Sequence, residues 1–247
     1  MKKILILIIV SLSVFLIYLG FKDKKIYYLS LGDSLSLGKN SYNILDYGYS
    51  DYIKEYLENN DILETYVDEY NNEEKRIIDI INDIKHNEKK LINNKEKTIQ
   101  HVLIKADLVT LSIGTNDLLN NVRIDYEFNI TDLYNKFEKL LVDYENLFKL
   151  LREYCKEKIV LIGLYNNSDE NLDEFFNYAN TKLQELCNKY NINYININDE
   201  FKNNKYFSNT NRLYPNKDGY MYIGKEIVKL IENKENAWFL NNLFAII

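Results

Sequence analysis

The sequence predicts an α/β protein, a three-layer α/β/α sandwich around a parallel five-stranded sheet, preceded by an N-terminal transmembrane helix. Three observations carry this. Short apolar β-rich runs alternate with longer stretches of helical period, which argues for βαβ units and hence a parallel sheet covered on both faces. The two most distinctive loops, Gly32 to Gly38 and Gly114-Thr115-Asn116-Asp117, each follow a predicted strand, where open α/β sheets bind ligands. An uncharged apolar stretch, Ile4 to Phe21, stands at the amino terminus between Lys2-Lys3 and Lys22-Asp23-Lys24-Lys25.

In chain order, that first stretch is just long enough to cross a bilayer as a helix. It closes on Tyr18-Leu19-Gly20-Phe21, without the alternating small residues of a cleavage site, and no nearby Cys offers lipid attachment. The reading is an uncleaved single-pass anchor over residues 1–25, with the globular part outside the cytoplasm. The flanking lysines are nearly balanced, so the location rests on the shortness of the amino-terminal tail.

The strands are Ile26 to Leu31, Leu63 to Val67, Leu108 to Ile113, Ile159 to Leu164 and Tyr194 to Ile197. Between and after them, Tyr49 to Leu57, Arg76 to Ile84, Thr131 to Tyr154, Leu172 to Tyr190 and Lys217 to Ile231 read as helices, with Thr131 and Asp132 placed to cap the third. Asn93-Asn94-Lys95-Glu96-Lys97 reads as a polar excursion. No linker composition divides residues 26–233, so they form one domain. The remaining 234–247, with Trp238-Phe239-Leu240 and Leu243 to Ile247, is too apolar for a solvated tail: it packs back on the domain or meets a membrane or partner.

The 247 residues carry 37 acidic and 31 basic side chains, a net charge of -6, without a Lys/Arg cluster interleaved with aromatics, which argues against nucleic acid as a partner. No His/Cys cluster or regular carboxylate loop suggests a metal, and no cofactor is expected. Cys155 and Cys187 read as two buried thiols, with a disulfide as the alternative outside the cytoplasm.

Gly32-Asp33-Ser34-Leu35 after the first strand, Gly114-Thr115-Asn116-Asp117 after the third, and Tyr214-Pro215-Asn216-Lys217-Asp218-Gly219-Tyr220 opening the last helix occur in the order and spacing of the SGNH, or GDSL, hydrolases. The chain resembles that family over residues 26 to 233. The resemblance implies a flavodoxin-like α/β/α fold and an ester hydrolase acting on small esters, lipids or acylated glycans. Ser34 would be the nucleophile, and the Ser34 N–H and Asn116 amide would donate to the oxyanion.

The chain departs from the family at three positions. The family's base is a His oriented by an Asp three residues earlier, and those positions hold Tyr214 and Asn211. A phenol with a pKa of about 10 is a poor base near neutrality, and Asn cannot stabilise a neighbouring cation. His86 and His101 match neither position. The Gly that gives a further oxyanion N–H is replaced by Glu74, with Glu73 before it, within a residue or two. Each replacement is one G·C to A·T base change, the direction in which the Asn-, Lys-, Ile- and Tyr-rich composition leans. Two functions follow. One is a serine esterase with an unorthodox base, drawn from Glu73, Glu74, Asp218 or Tyr214, its turnover weak or lost. The other is a pseudoenzyme serving as a binding or scaffold domain at the cell surface.

Overall fold

A computed structural model describes residues 25–119, 130–166, 172–202, 204–208 and 211–244, with backbone alone at 119, 204, 211, 212 and 233–244. The predicted anchor, residues 4–21, lies outside these residues. Among those described, no helix is long and apolar enough to cross a membrane.

Five strands form the central sheet: β1 (Ile26–Gly32), β2 (Leu63–Val67), β5 (Leu108–Ser112), β6 (Lys158–Ile162) and β7 (Asn193–Ile195). Their order is β2-β1-β5-β6-β7 and every pairing is parallel. The chain steps outward from β1 to β2, then crosses back to lay β5 on the other side of β1. The carboxyl ends of β1 and β5 therefore flank the switch point, where the loops diverge and leave a crevice.

Alternation along β1 divides the core. Tyr27, Leu29 and Leu31 join the layer made with α2 (Ile77–Lys85), α3 (Ile99–Lys105), α5 (Ile130–Tyr154) and α6 (Asp173–Lys189). Tyr28 faces the opposite layer, made with α1 (Tyr49–Asn59), α7 (Asn198–Phe201) and α8 (Lys217–Phe244). Each helix contributes an apolar stripe at helical spacing: Ile53 and Leu57 on α1, Ile77, Ile80 and Ile84 on α2, Ile223, Ile227 and Ile231 on α8. Cys155 and Cys187 are both free thiols buried in the first layer, and burial pushes the Cys187 thiol up to about 12.

The local structure departs from the expectation in several places, among them a helix at Ile99–Lys105 and a last helix that runs past Ile231 to Phe244. The polar excursion is a hairpin, β3 (Lys89–Ile92) and β4 (Lys95–Thr98), turned by Asn93 and Asn94 at φ 49° and 61°. A two-residue turn with both residues at positive φ suits the strand twist, and Asn tolerates that conformation. Its strands are rich in Lys and Glu, so no apolar alternation marks them. Thr131 and Asp132 fall inside the first turn of α5, which begins at Ile130, and do not precede it.

Candidate active site

Gly32 closes β1 at φ 151°, and a Cβ there would lie 2.0 Å from the Ser112 carbonyl oxygen. Only glycine lets β1 and β5 end this close together, and the Asp33 N–H then donates to that same carbonyl at 3.0 Å. The chain turns over residues 33–38 and runs through an irregular loop to α1 at Tyr49. Here Ser34 is 7% exposed, because the loop folds back over it, with the Lys39 N–H donating to the Ser34 carbonyl at 3.0 Å.

Asp33 sits beneath that turn. Its carboxylate accepts from the Leu35 N–H at 3.1 Å and from the Ser112 hydroxyl at 3.3 Å, and Ser112 in turn accepts from the Tyr49 hydroxyl at 3.3 Å. Burial is the main influence on Asp33 and raises its pKa to about 7.

The loop after β2 is fastened to the first by the Asn72 N–H, which donates to the Gly32 carbonyl at 3.2 Å. Within it the Glu74 N–H donates to Asn72 Oδ1 at 3.0 Å, and the Lys75 N–H to the Asn72 carbonyl at 3.0 Å. The donor that the sequence assigns to Glu74 is thus engaged inside the loop, and the Glu74 side chain is exposed. The Glu73 N–H makes no hydrogen bond among the described residues. A one-residue offset separates the two, beyond the resolution of aligning a loop on the start of the next helix. That helix, α2, is held by the Asp79 carboxylate accepting from the Arg76 N–H at 2.9 Å, and by Asp117 accepting from the Ile77 N–H at 3.2 Å.

Asn116 lies on α4 (Thr115–Leu119), after β5. Its side-chain nitrogen donates to the Glu73 and Lys75 carbonyls, both at 3.0 Å. Both amide protons are therefore engaged with the neighbouring loop.

The last block follows β9 (Asn211–Pro215), which pairs with β8 (Phe207–Ser208). Asn216 accepts from the Gly219 N–H at 3.0 Å, and so caps α8, while the Tyr220 hydroxyl donates to the Lys39 carbonyl. The Asn211 side chain is outside the described atoms. Asp218 is exposed in the first turn of α8, where a carboxylate complements the helix dipole. His86 caps the end of α2 and His101 lies in α3, both exposed and both on helices that descend towards the amino edge of the sheet.

Lys39 joins these loops, and nothing in the sequence distinguishes it from other loop lysines. Its ammonium is 2.6 Å from the Glu73 carboxylate and 5.4 Å from the centre of the half-buried Tyr214 ring. The hydrogen bond to Glu73 holds the Lys39 pKa above its ordinary value, so Lys39 is a cation here and cannot act as a base. Ser34, Glu73, Asn116 and Tyr214 thus belong to segments tied together at the carboxyl edge, with an ion pair beside Tyr214. Among the described residues, no cluster of His, Cys, Asp and Glu has the arrangement to hold a metal ion.

A five-stranded parallel α/β/α sandwich with a serine turn at its switch point is the architecture of a class of serine ester hydrolases. The chain belongs to the GDSL-like lipase/acylhydrolase family, whose profile matches residues 28–227. Its structure is similar to that of the lipase Lip_vut3 from a goat rumen metagenome, at 21% identity and TM-score 0.67, covering 82% of this chain and 95% of that one. It is also similar to Axe2, an acetylxylan esterase from Geobacillus stearothermophilus, at 14% identity and TM-score 0.60, covering 84% and 94%. No curated protein matches the sequence.

Proposed function

We propose that this protein is a membrane-anchored member of the family, facing outside the cytoplasm, whose ester hydrolysis is weak or lost. The observation that carries the reading is the Lys39–Glu73 ion pair against Tyr214. A serine hydroxyl attacks an acyl carbonyl only as its proton departs, and the position that should accept the proton holds a phenol beside a cation. Phenols give up protons more readily than they take them near neutral pH, and the Lys39 ammonium offers no base in their place. The substituted dyad is worth about 10⁴ to 10⁶ in rate in enzymes that keep it.

What remains is consistent with residual acyl chemistry. Ser34 stands at the strand end, and its own N–H and that of Glu73 are the backbone donors on hand for a developing oxyanion. Asn116 would have to share an amide proton between a loop carbonyl and that oxyanion. The substrate class is an acyl or acetyl ester of a small molecule, lipid or glycan. Turnover of p-nitrophenyl acetate by the purified protein, beside Ser34→Ala, tests the reading. Ser34-dependent turnover at the rate of an ordinary esterase would overturn it.

A second reading, a binding domain without catalysis, is supported by a cleft of about 790 Å³ beside the site, lined by Tyr70, Asn72 and Asn116 and by charged groups that include Glu74, Lys75 and Arg76. Such a lining suits a polyhydroxyl ligand better than an acyl chain.

A further inference from the structure

The two ends of the domain meet the rest of the chain on one side. Residue 25 precedes the first residue of β1, so the apolar stretch 4–21 joins the domain at the amino edge of the sheet. The site lies beyond the opposite edge, one length of β1 away, about 20 Å at the usual rise of a strand.

α8 starts at the site edge, where Tyr220 bonds the Lys39 carbonyl, and runs the other way. At Leu230 it has reached the amino edge: the Leu230 carbonyl accepts from the ammonium of Lys158, the first residue of β6, and Glu232 accepts from the Tyr56 hydroxyl at 3.0 Å, late in α1. The helix continues to Phe244. The twelve residues after Glu232 carry it about 18 Å further, at 1.5 Å per residue. Their sequence includes Trp238-Phe239-Leu240 and Leu243-Phe244, with Ala245-Ile246-Ile247 to follow. The C-terminal apolar segment therefore leaves the domain at the edge to which residues 4–21 are joined through residue 25. Exposed Lys85 and Lys105 end their helices on that side too, with acidic Asp61 and Glu157 interspersed, so the charge is a lesser part of the argument.

From this arrangement we propose that the end of α8 is a second lipid contact, so that the domain stands on the bilayer by its amino edge and presents the Ser34 site to the aqueous side. The proposal rests on the anchor reading of residues 4–21. It narrows the substrate to acyl groups that approach from water, such as those on soluble molecules or glycans, and away from lipids of the membrane that holds the protein. Aromatic residues at the end of an amphipathic or apolar helix suit the headgroup boundary.

Trp238 is the only tryptophan, which makes the full-length chain its own probe. The protein is reconstituted into phosphatidylcholine/phosphatidylglycerol vesicles with and without brominated phosphatidylcholine, and flotation is followed by Trp238 fluorescence. A several-fold loss of emission in brominated vesicles, with little quenching by aqueous acrylamide, is expected. Dyes on Ile44→Cys at the site edge and Lys105→Cys at the amino edge should transfer energy to a lipid acceptor in the order 105 above 44. Floating protein whose Trp238 ignores brominated lipid, whether solvated or packed on protein, overturns the second contact and leaves the anchor standing. Protein that does not float removes the anchor and the proposal together. A reversed transfer order overturns the orientation.

Discussion

The Lys39 ammonium bridges the turn that carries Ser34 and the loop that carries Glu73, 2.6 Å from the Glu73 carboxylate. With the Tyr214 ring 5.4 Å away, this pair sets a cation beside the position that the family resemblance assigns to the base. Tyr214 and the ion pair are thus one local arrangement. On the proposed reading, an imidazole at position 214 without relief of the ion pair should restore only part of the activity.

Asn211→Asp with Tyr214→His should raise turnover of a short-chain p-nitrophenyl ester above the parent, since Pro215 and the Asn216 cap of α8 fix the backbone that presents position 214. Adding Glu73→Gly should increase it again, by up to about 10² if one oxyanion donor becomes accessible. Adding Glu74→Gly in its place should do little, because the Glu74 N–H is engaged by Asn72. Equal gains from the two glycines would show that the donor assignment is misplaced.

Asp33 should make the fold less stable as pH rises. Its folded pKa of about 7 lies above the ordinary 3.8, so the folded state keeps a proton that the unfolded chain releases. Stability from this group is fully present below about pH 4 and declines until about pH 7, by no more than ~4 kcal/mol. Asp33→Asn should flatten that part of a chemical-denaturation pH profile. A parent profile that rises across the window after the other carboxylates are accounted for would contradict the burial argument.

Removal of the Asn116 amide should be felt in stability as well as in any turnover. Asn116→Ala leaves the Glu73 and Lys75 carbonyls without their donor, at a cost of about 1–3 kcal/mol in urea unfolding. An unchanged midpoint would mean that water replaces the amide at no cost.

Deletion of residues 1–25 should leave a cooperatively folded domain, since β1 begins at Ile26 and the exposed Lys25–Asp61 pair contributes little. Scanning calorimetry reads this directly: a broad, non-cooperative transition would place the deleted residues in the core.

The sequence by itself determined the layered plan. Alternation along β1 and stripes such as Ile77, Ile80 and Ile84 are local patterns, and each states which face of its element must leave water. It also determined the family, because Gly32, Ser34, Asn116, Pro215 and Gly219 stand at strand ends and helix starts that the same patterns locate. The β3–β4 hairpin was illegible, since Lys89, Lys90, Lys95 and Lys97 carry no apolar period and only the Asn93-Asn94 turn marks it. Tertiary structure alone decided the state of the site: that Lys39 meets Glu73 across 34 residues of chain, that Asn116 is engaged by carbonyls 43 and 41 positions away, and that the Glu73 N–H, not that of Glu74, lacks a partner among the described residues. These are contacts between loops, and loops have no period. Their geometry is imposed by the strands that converge on the β1–β5 switch point, so a residue's chemistry there is settled by what the sheet brings beside it.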